Sequence, residues 1–147
     1  MKLRILACAY ACLQDPDRRF AHGGEGVLGW NLVKQLARFH HLFVLTSSQV
    51  RDAVEKALKK EPLPNVEFHY IDLPRWLRPL GRFGGGVQIY AYLWQLKAYF
   101  VARRLHQRFH FDAFHHVTYA NDWMASFIGA LLSIPYIRGP GGGAHRT

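Results

Sequence analysis

The sequence predicts an α/β protein in which a parallel sheet lies between two layers of helices. Three observations carry that expectation. Short apolar runs such as Leu3–Ala9 and Leu42–Thr46 are dense enough to be strands covered on both faces. Between the runs lie longer stretches whose apolar residues return at helical spacing. The chain has 147 residues, half of them hydrophobic, enough for one domain with a sizeable core. Strands separated by helices argue for this three-layer sandwich.

Leu3–Ala9 reads as the first strand, and Cys12–His22, with Asp15-Pro16-Asp17 and two arginines, reads as a loop. A helix of about four turns is expected over Gly26–His40, from the recurrence of Leu28, Leu32 and Leu36 with Val33 and Phe39 beside them. Leu42–Thr46 is the second strand, ended by Ser47-Ser48. Val50–Lys60 alternates charges as an exposed helix does, and Pro62 and Pro64 block its extension. Val66–Leu73 is the third strand. Pro74–Gly86, with two prolines and four glycines, is expected to be no single regular element. A long helix follows over Val87–His110, with Ile89, Leu93, Leu96, Phe100 and Leu105 among its apolar positions. Phe111–Val117 is a fourth strand, Asp122–Leu132 a helix, and Pro135–Arg138 a short fifth strand.

The formal charge of +9 draws anions: phosphorylated substrates, acidic lipid head groups or nucleic acid. The longest apolar-rich run, Val87–Ala102, is interrupted by Gln88, Gln95 and Lys97 and falls short of the roughly 20 apolar residues of a membrane span. The first residues are too briefly apolar for a secretion signal, so a cytoplasmic protein is expected. Cys8 and Cys12 have no second pair to complete a metal site or a disulfide framework, and no metal is expected.

The chain is organised around Ala21–Asn31, a glycine-rich loop running into a helix. Glycines there let the backbone approach a ligand, and the unpaired N–H groups of the helix's first turn suit a phosphate; capping and packing are the alternative use. Gly24-Glu25-Gly26-Val27-Leu28-Gly29 fits the G-x-G-x-x-G fingerprint of Rossmann dinucleotide-binding folds. That fingerprint belongs in the tight turn after strand one, with an acidic residue ending strand two. Here the whole loop from Tyr10 to His22 intervenes, and strand two ends in Thr46-Ser47-Ser48. A nicotinamide or flavin enzyme is therefore disfavoured.

A long first loop ending in Gly23-Gly24-Glu25, then a helix and a strand ending in Thr46, resembles the N-terminal domain of family 4 glycosyltransferases of the GT-B fold. Asp112-Ala113-Phe114-His115 resembles that family's Asp-hydrophobic-hydrophobic-His strand. His115-His116-Val117-Thr118 followed by Gly139-Pro140-Gly141-Gly142-Gly143 resembles the subgroup in which such a turn leads to a second domain. The likeness covers essentially the whole chain. It implies a Rossmann-like half of a GT-B fold over residues 1–138, with 139–147 opening an interdomain linker toward a missing C-terminal donor-binding domain.

The resemblance also implies a retaining, metal-independent transferase that moves a sugar from a nucleotide-sugar donor to a glycan or lipid-linked acceptor and needs no separate cofactor. The donor diphosphate and acceptor loop would be Gly23, Gly24, Glu25 and Gly26, with Thr118 and Asn121 as cleft contacts. His115 is the candidate catalytic group, with a packed histidine as the alternative. Where many members carry His-x-His this chain has Val117, and His116 cannot substitute because neighbouring strand residues face opposite sides. Glu25 either favours the helix dipole or meets an acceptor hydroxyl, and Asp122 either caps the next helix or meets a ligand.

Pro74–Phe83 with the start of the next helix forms an expected membrane-proximal surface, peripheral on the inner face of the cell membrane. Trp76, Leu77, Leu80 and Phe83 would enter the head-group layer while Arg75, Arg78 and Arg82 meet anionic lipid. The rival arrangement folds Trp76 and Leu77 back over the sheet. A non-catalytic basic module for acidic lipid or nucleic acid is the competing function; no recognition motif supports nucleic acid, and none is expected as a partner.

Overall fold

The computed structural model describes residues 1–12, 25–82, 84–117 and 126–139. Five parallel strands form one sheet in the order β3-β2-β1-β4-β5: β1 Arg4–Cys8, β2 His41–Ser47, β3 Val66–Ile71, β4 Ala113–His116 and β5 Tyr136–Arg138. The central strands β1 and β2 are buried along nearly their whole length, as the apolar runs require, whereas the edge strand β5 is exposed.

Helices α1 (Glu25–Ala37), α2 (Arg51–Lys60), α3 (Gly86–Phe109) and α4 (Phe127–Leu131) connect them. Two hydrophobic cores lie on opposite faces of the sheet. Trp30, Val33, Ala37, Val54 and Ala57 of α1 and α2 pack with Ile5, Ala7, Leu42 and Val44 in one. Trp94, Ala98 and Ala102 of α3 and Ile128 of α4 pack with Leu6, Cys8, Phe43, Leu45 and Phe114 in the other. The α/β/α sandwich expected from the alternating elements is the fold.

One stretch resolves into separate elements and the facing of two helices is corrected. Residues 74–86 are no single regular element, as expected: residues 75–82 form a continuous 3-10 helix with Pro79 inside it, Gly84-Gly85 form a turn, and α3 begins at Gly86. The short repeat of the 3-10 helix lets Leu77 pack on the second core and sets Gly81 against the ring of Tyr90; a Cβ at Gly86 would run into the carbonyl oxygen of Leu80. In α3 the large residues Ile89, Leu96 and Phe100 point outward, and the sheet is met instead by Tyr90, Ala91, Trp94, Ala98 and Ala102. Similarly, Leu28 of α1 and Phe39 just past its end are exposed, while Trp30, Val33 and Ala37 form the inner face with Leu32 and Leu36 packed at its border. The fourth helix is described from Phe127, with Ser126 as its N-cap accepting from the Gly129 N–H, so the Asp122 cap lies outside the described residues.

The two cysteines pack into different cores, Cys8 with α3 and Cys12 with α1, and burial pushes each thiol from an ordinary 9.0 up to about 12. They are free thiols, held in the unreactive protonated form. Because the folded state keeps these protons longer than the unfolded chain does, stability is whole below the unfolded value and is lost as pH rises toward the folded one. About one pH unit above the ordinary thiol pKa, each cysteine should withdraw about 1.4 kcal/mol. Urea unfolding from neutral to alkaline pH should therefore show a shallower fall for Cys8→Ala/Cys12→Ala than for the wild type. An identical fall would assign the alkaline loss to half-buried Tyr70 and buried Tyr90, whose hydroxyls are also pushed up by desolvation.

Candidate functional site

β1 and β4 are neighbours, yet the chain leaves β1 for α1 on one face and β4 for α4 on the other. In an open parallel sheet that parting leaves a crevice beyond the carboxyl ends of the two strands. All five strands run the same way, so the ends of β1, β2, β4 and β5 share that edge. The start of α1 lies there too. Only Arg38–His40 separate its end from the start of β2, and its 13 residues then rise about 20 Å back toward the carboxyl edge.

His115 is the expected site residue that the described structure holds at this crevice. It sits on β4 beside Ala7 of β1 and Ile137 of β5, half-buried on the face covered by α1. Its Nε2 lies 2.7 Å from the Gly139 carbonyl oxygen. A carbonyl only accepts, so Nε2 carries the proton, and in the neutral ring Nδ1 is left as the acceptor. Gly139 in turn donates its N–H to the His116 carbonyl at 3.0 Å. This two-point clamp holds Gly139 at φ +116°, a conformation that suits glycine alone. Gly139, read from sequence only as the start of a linker, is thus the partner that fixes the His115 ring.

His116 faces the other core, buried near Phe114, so alternation along the strand separates the two histidines as expected. Val117 stands on the His115 side but is fully packed, with its N–H on the Cys8 carbonyl. Thr46 reaches the carboxyl edge yet is not offered to a ligand: it is wholly buried and donates its hydroxyl to the Tyr10 carbonyl. The same carbonyl accepts from the Ser47 N–H, while the Ser47 hydroxyl accepts from Gln49. These bonds tie residues just past β1 to the end of β2. Tyr10 had no signal in the sequence beyond its place two residues after β1.

Gly26 lies in the first turn of α1 after Glu25, whose backbone opens the helix. Gly23, Gly24, Thr118, Asn121 and the Gly141–Gly143 turn lie outside the described residues, as does Phe83. Among the described residues no cluster of three or more His, Cys, Asp or Glu side chains is placed to hold a metal ion.

In the 75–82 segment, Trp76 is 76% exposed and Leu77 turns inward onto the second core, so of the two residues the rival arrangement would fold back over the sheet only Leu77 does so. Arg78 pairs with Asp72 at 3.1 Å. No helix among the described residues is long and apolar enough to cross a membrane.

No protein-family model and no curated protein matches this chain.

Proposed function

We propose that this chain is the acceptor-side half of a glycosyltransferase, handling a glycan or lipid-linked acceptor opposite a nucleotide-sugar donor. The observation that carries the reading is the His115–Gly139 clamp at the β1/β4 crevice. It joins His115, the last residue of Asp112-Ala113-Phe114-His115, to Gly139, the first residue of Gly139-Pro140-Gly141-Gly142-Gly143, and both stretches resemble the family. The end of β2 supports it further. Thr46 and Ser47 spend their hydroxyls on local backbone groups, and the strand ends in Thr46-Ser47-Ser48 rather than in the acidic residue that holds the ribose of a dinucleotide.

In this reading the start of α1 at Glu25 and Gly26 faces the donor diphosphate, where unpaired N–H groups stabilise the charge of the departing nucleotide. His115, fixed through Nε2, presents Nδ1 to the sugar or the acceptor hydroxyl. The protein encoded by the full reading frame through this chain should transfer or hydrolyse a sugar from a panel of nucleotide sugars. His115→Gln keeps a donor for the Gly139 carbonyl but removes the imidazole. It should lower turnover about 100-fold or more, the usual scale of a lost acid–base or electrostatic group, with little change in thermal midpoint. Activity and midpoint falling together would make His115 a packing residue, and no activity with any donor would remove the reading.

A further inference from the structure

The outward face of α3 is the least expected surface of the molecule. A helix with only one side on the sheet should be polar on the other. Instead Ile89 is 54% exposed, Leu96 42% and Phe100 56%, and Leu93 fills the row between them half-buried. The spacing, four, three and four residues, keeps them in one stripe about 16 Å long. One turn before Ile89, Gly86 abuts Leu80 of the 3-10 helix, which continues the apolar surface toward exposed Trp76.

The charge on this surface has one sign. Between Asp72 and Asp112 the sequence contains no acidic residue but holds Arg75, Arg78, Arg82, Lys97, Arg103, Arg104 and Arg108. Lys97 donates to the Asp72 carbonyl and Arg78 pairs with Asp72. Arg75, Arg82, Arg103 and Arg104 are exposed and make no ion pair among the described residues. Arg103 and Arg104 follow Phe100 directly on the helix, so cations flank the stripe at its end as well as at the 3-10 helix.

We propose that α3 and the 3-10 helix lie flat on an anionic phospholipid surface, with Ile89, Leu96, Phe100 and Trp76 in the head-group layer and the arginines on lipid phosphates. A second copy of the chain would set this cationic surface against itself about a two-fold axis, which like charges oppose. A nucleic-acid backbone would use the arginines but leave the apolar stripe in water. Only a lipid surface presents an anionic layer over an apolar one, matching both features. The proposal enlarges the surface expected from Pro74–Phe83 alone, and it requires no sugar chemistry.

Co-sedimentation of the chain with vesicles tests it. Vesicles of phosphatidylglycerol and phosphatidylcholine should bind the protein, pure phosphatidylcholine vesicles much less, and added salt should weaken the binding. Ile89→Ser/Leu96→Ser/Phe100→Ser and Arg103→Ser/Arg104→Ser should each lower the partition coefficient about tenfold or more, with the folded circular-dichroism spectrum kept. Should the triple variant lose that spectrum, Trp76→Ser, at a largely exposed residue, carries the apolar arm with a smaller drop in the same direction. No binding to the anionic vesicles overturns the proposal, as does binding insensitive to the apolar changes, equal avidity for a random-sequence RNA, or a concentration-dependent dimer lost in the triple variant. Because no donor or acceptor sugar enters the assay, its failure leaves the glycosyltransferase reading to its own test.

Discussion

Replacing Trp94 by alanine should remove about 3–5 kcal/mol of folding free energy, the scale for deleting a large aromatic side chain from a packed core. Trp94 joins α3 to the sheet in two ways. Its ring lies buried among Leu6, Cys8, Phe43, Leu45 and Phe114, with Tyr10 edge-on at a centroid distance of 4.9 Å. Its Nε1–H donates to the Ile71 carbonyl at 3.1 Å, at the end of β3. The alanine variant leaves a cavity and an unpaired carbonyl together, a large share of the roughly 5–15 kcal/mol that holds a domain folded. Trp94→Phe restores most of the volume but not the donor and should cost about 1–3 kcal/mol, chiefly for the orphaned carbonyl. Urea unfolding of the three proteins at neutral pH checks both figures. Equal losses would assign the stabilisation to the hydrogen bond alone.

The strands were legible because a buried strand has little freedom of pattern. Ile5–Cys8 and Leu42–Ser47 are hidden from water on both faces, and only near-continuous apolar runs satisfy that. The helices were legible as elements but not in their facing. In α3 the spacing of Ile89, Leu93, Leu96 and Phe100 is helical, and it marks a real stripe, but on the solvent side. The inner face is read from Ala91, Ala98 and Ala102, small residues that let the helix settle close on the sheet around one large Trp94. Periodicity counts apolar positions and is blind to how much space the opposite surface leaves for them. Glycines and prolines marked residues 74–86 as no single element; that 75–82 within it is a 3-10 helix was not legible, because the helix rests on tertiary contacts, Leu77 on the second core and Gly81 on Tyr90.

At the crevice, the part encoded in strand order was legible and the part encoded in contacts was not. A histidine on the fourth strand could be placed at the carboxyl edge because parallel strands end together. That its Nε2 is held by Gly139, and that Thr46 turns to Tyr10 rather than to the crevice, depends on how residues more than 20 positions apart meet. Nothing in the local pattern of either strand announces those pairs.

Ala98→Glu should destabilise the protein by about 3 kcal/mol or more, whereas Phe100→Glu, two residues away, should change stability by less than about 0.5 kcal/mol. Hydropathy alone ranks the two changes in the opposite order, since phenylalanine is the larger hydrophobe. Ala98 is completely buried between α3 and the sheet, where the cluster of Leu6, Phe43, Leu45 and Phe114 offers a carboxylate neither water nor a cation. A glutamate there must either ionise unpaired, take up a proton, or lever the helix away, and each route costs several times the worth of a surface contact. Phe100 already stands in water, so glutamate replaces an exposed ring and adds a favourable charge beside Arg103 and Arg104 at helical spacing. Ala98→Leu separates the charge from the volume: it should cost about 1–3 kcal/mol through overpacking alone. Thermal and urea unfolding of the three variants read the order directly. A Phe100→Glu loss as large as that of Ala98→Glu would show that α3 packs by its large residues after all, and would return the outward stripe to the core.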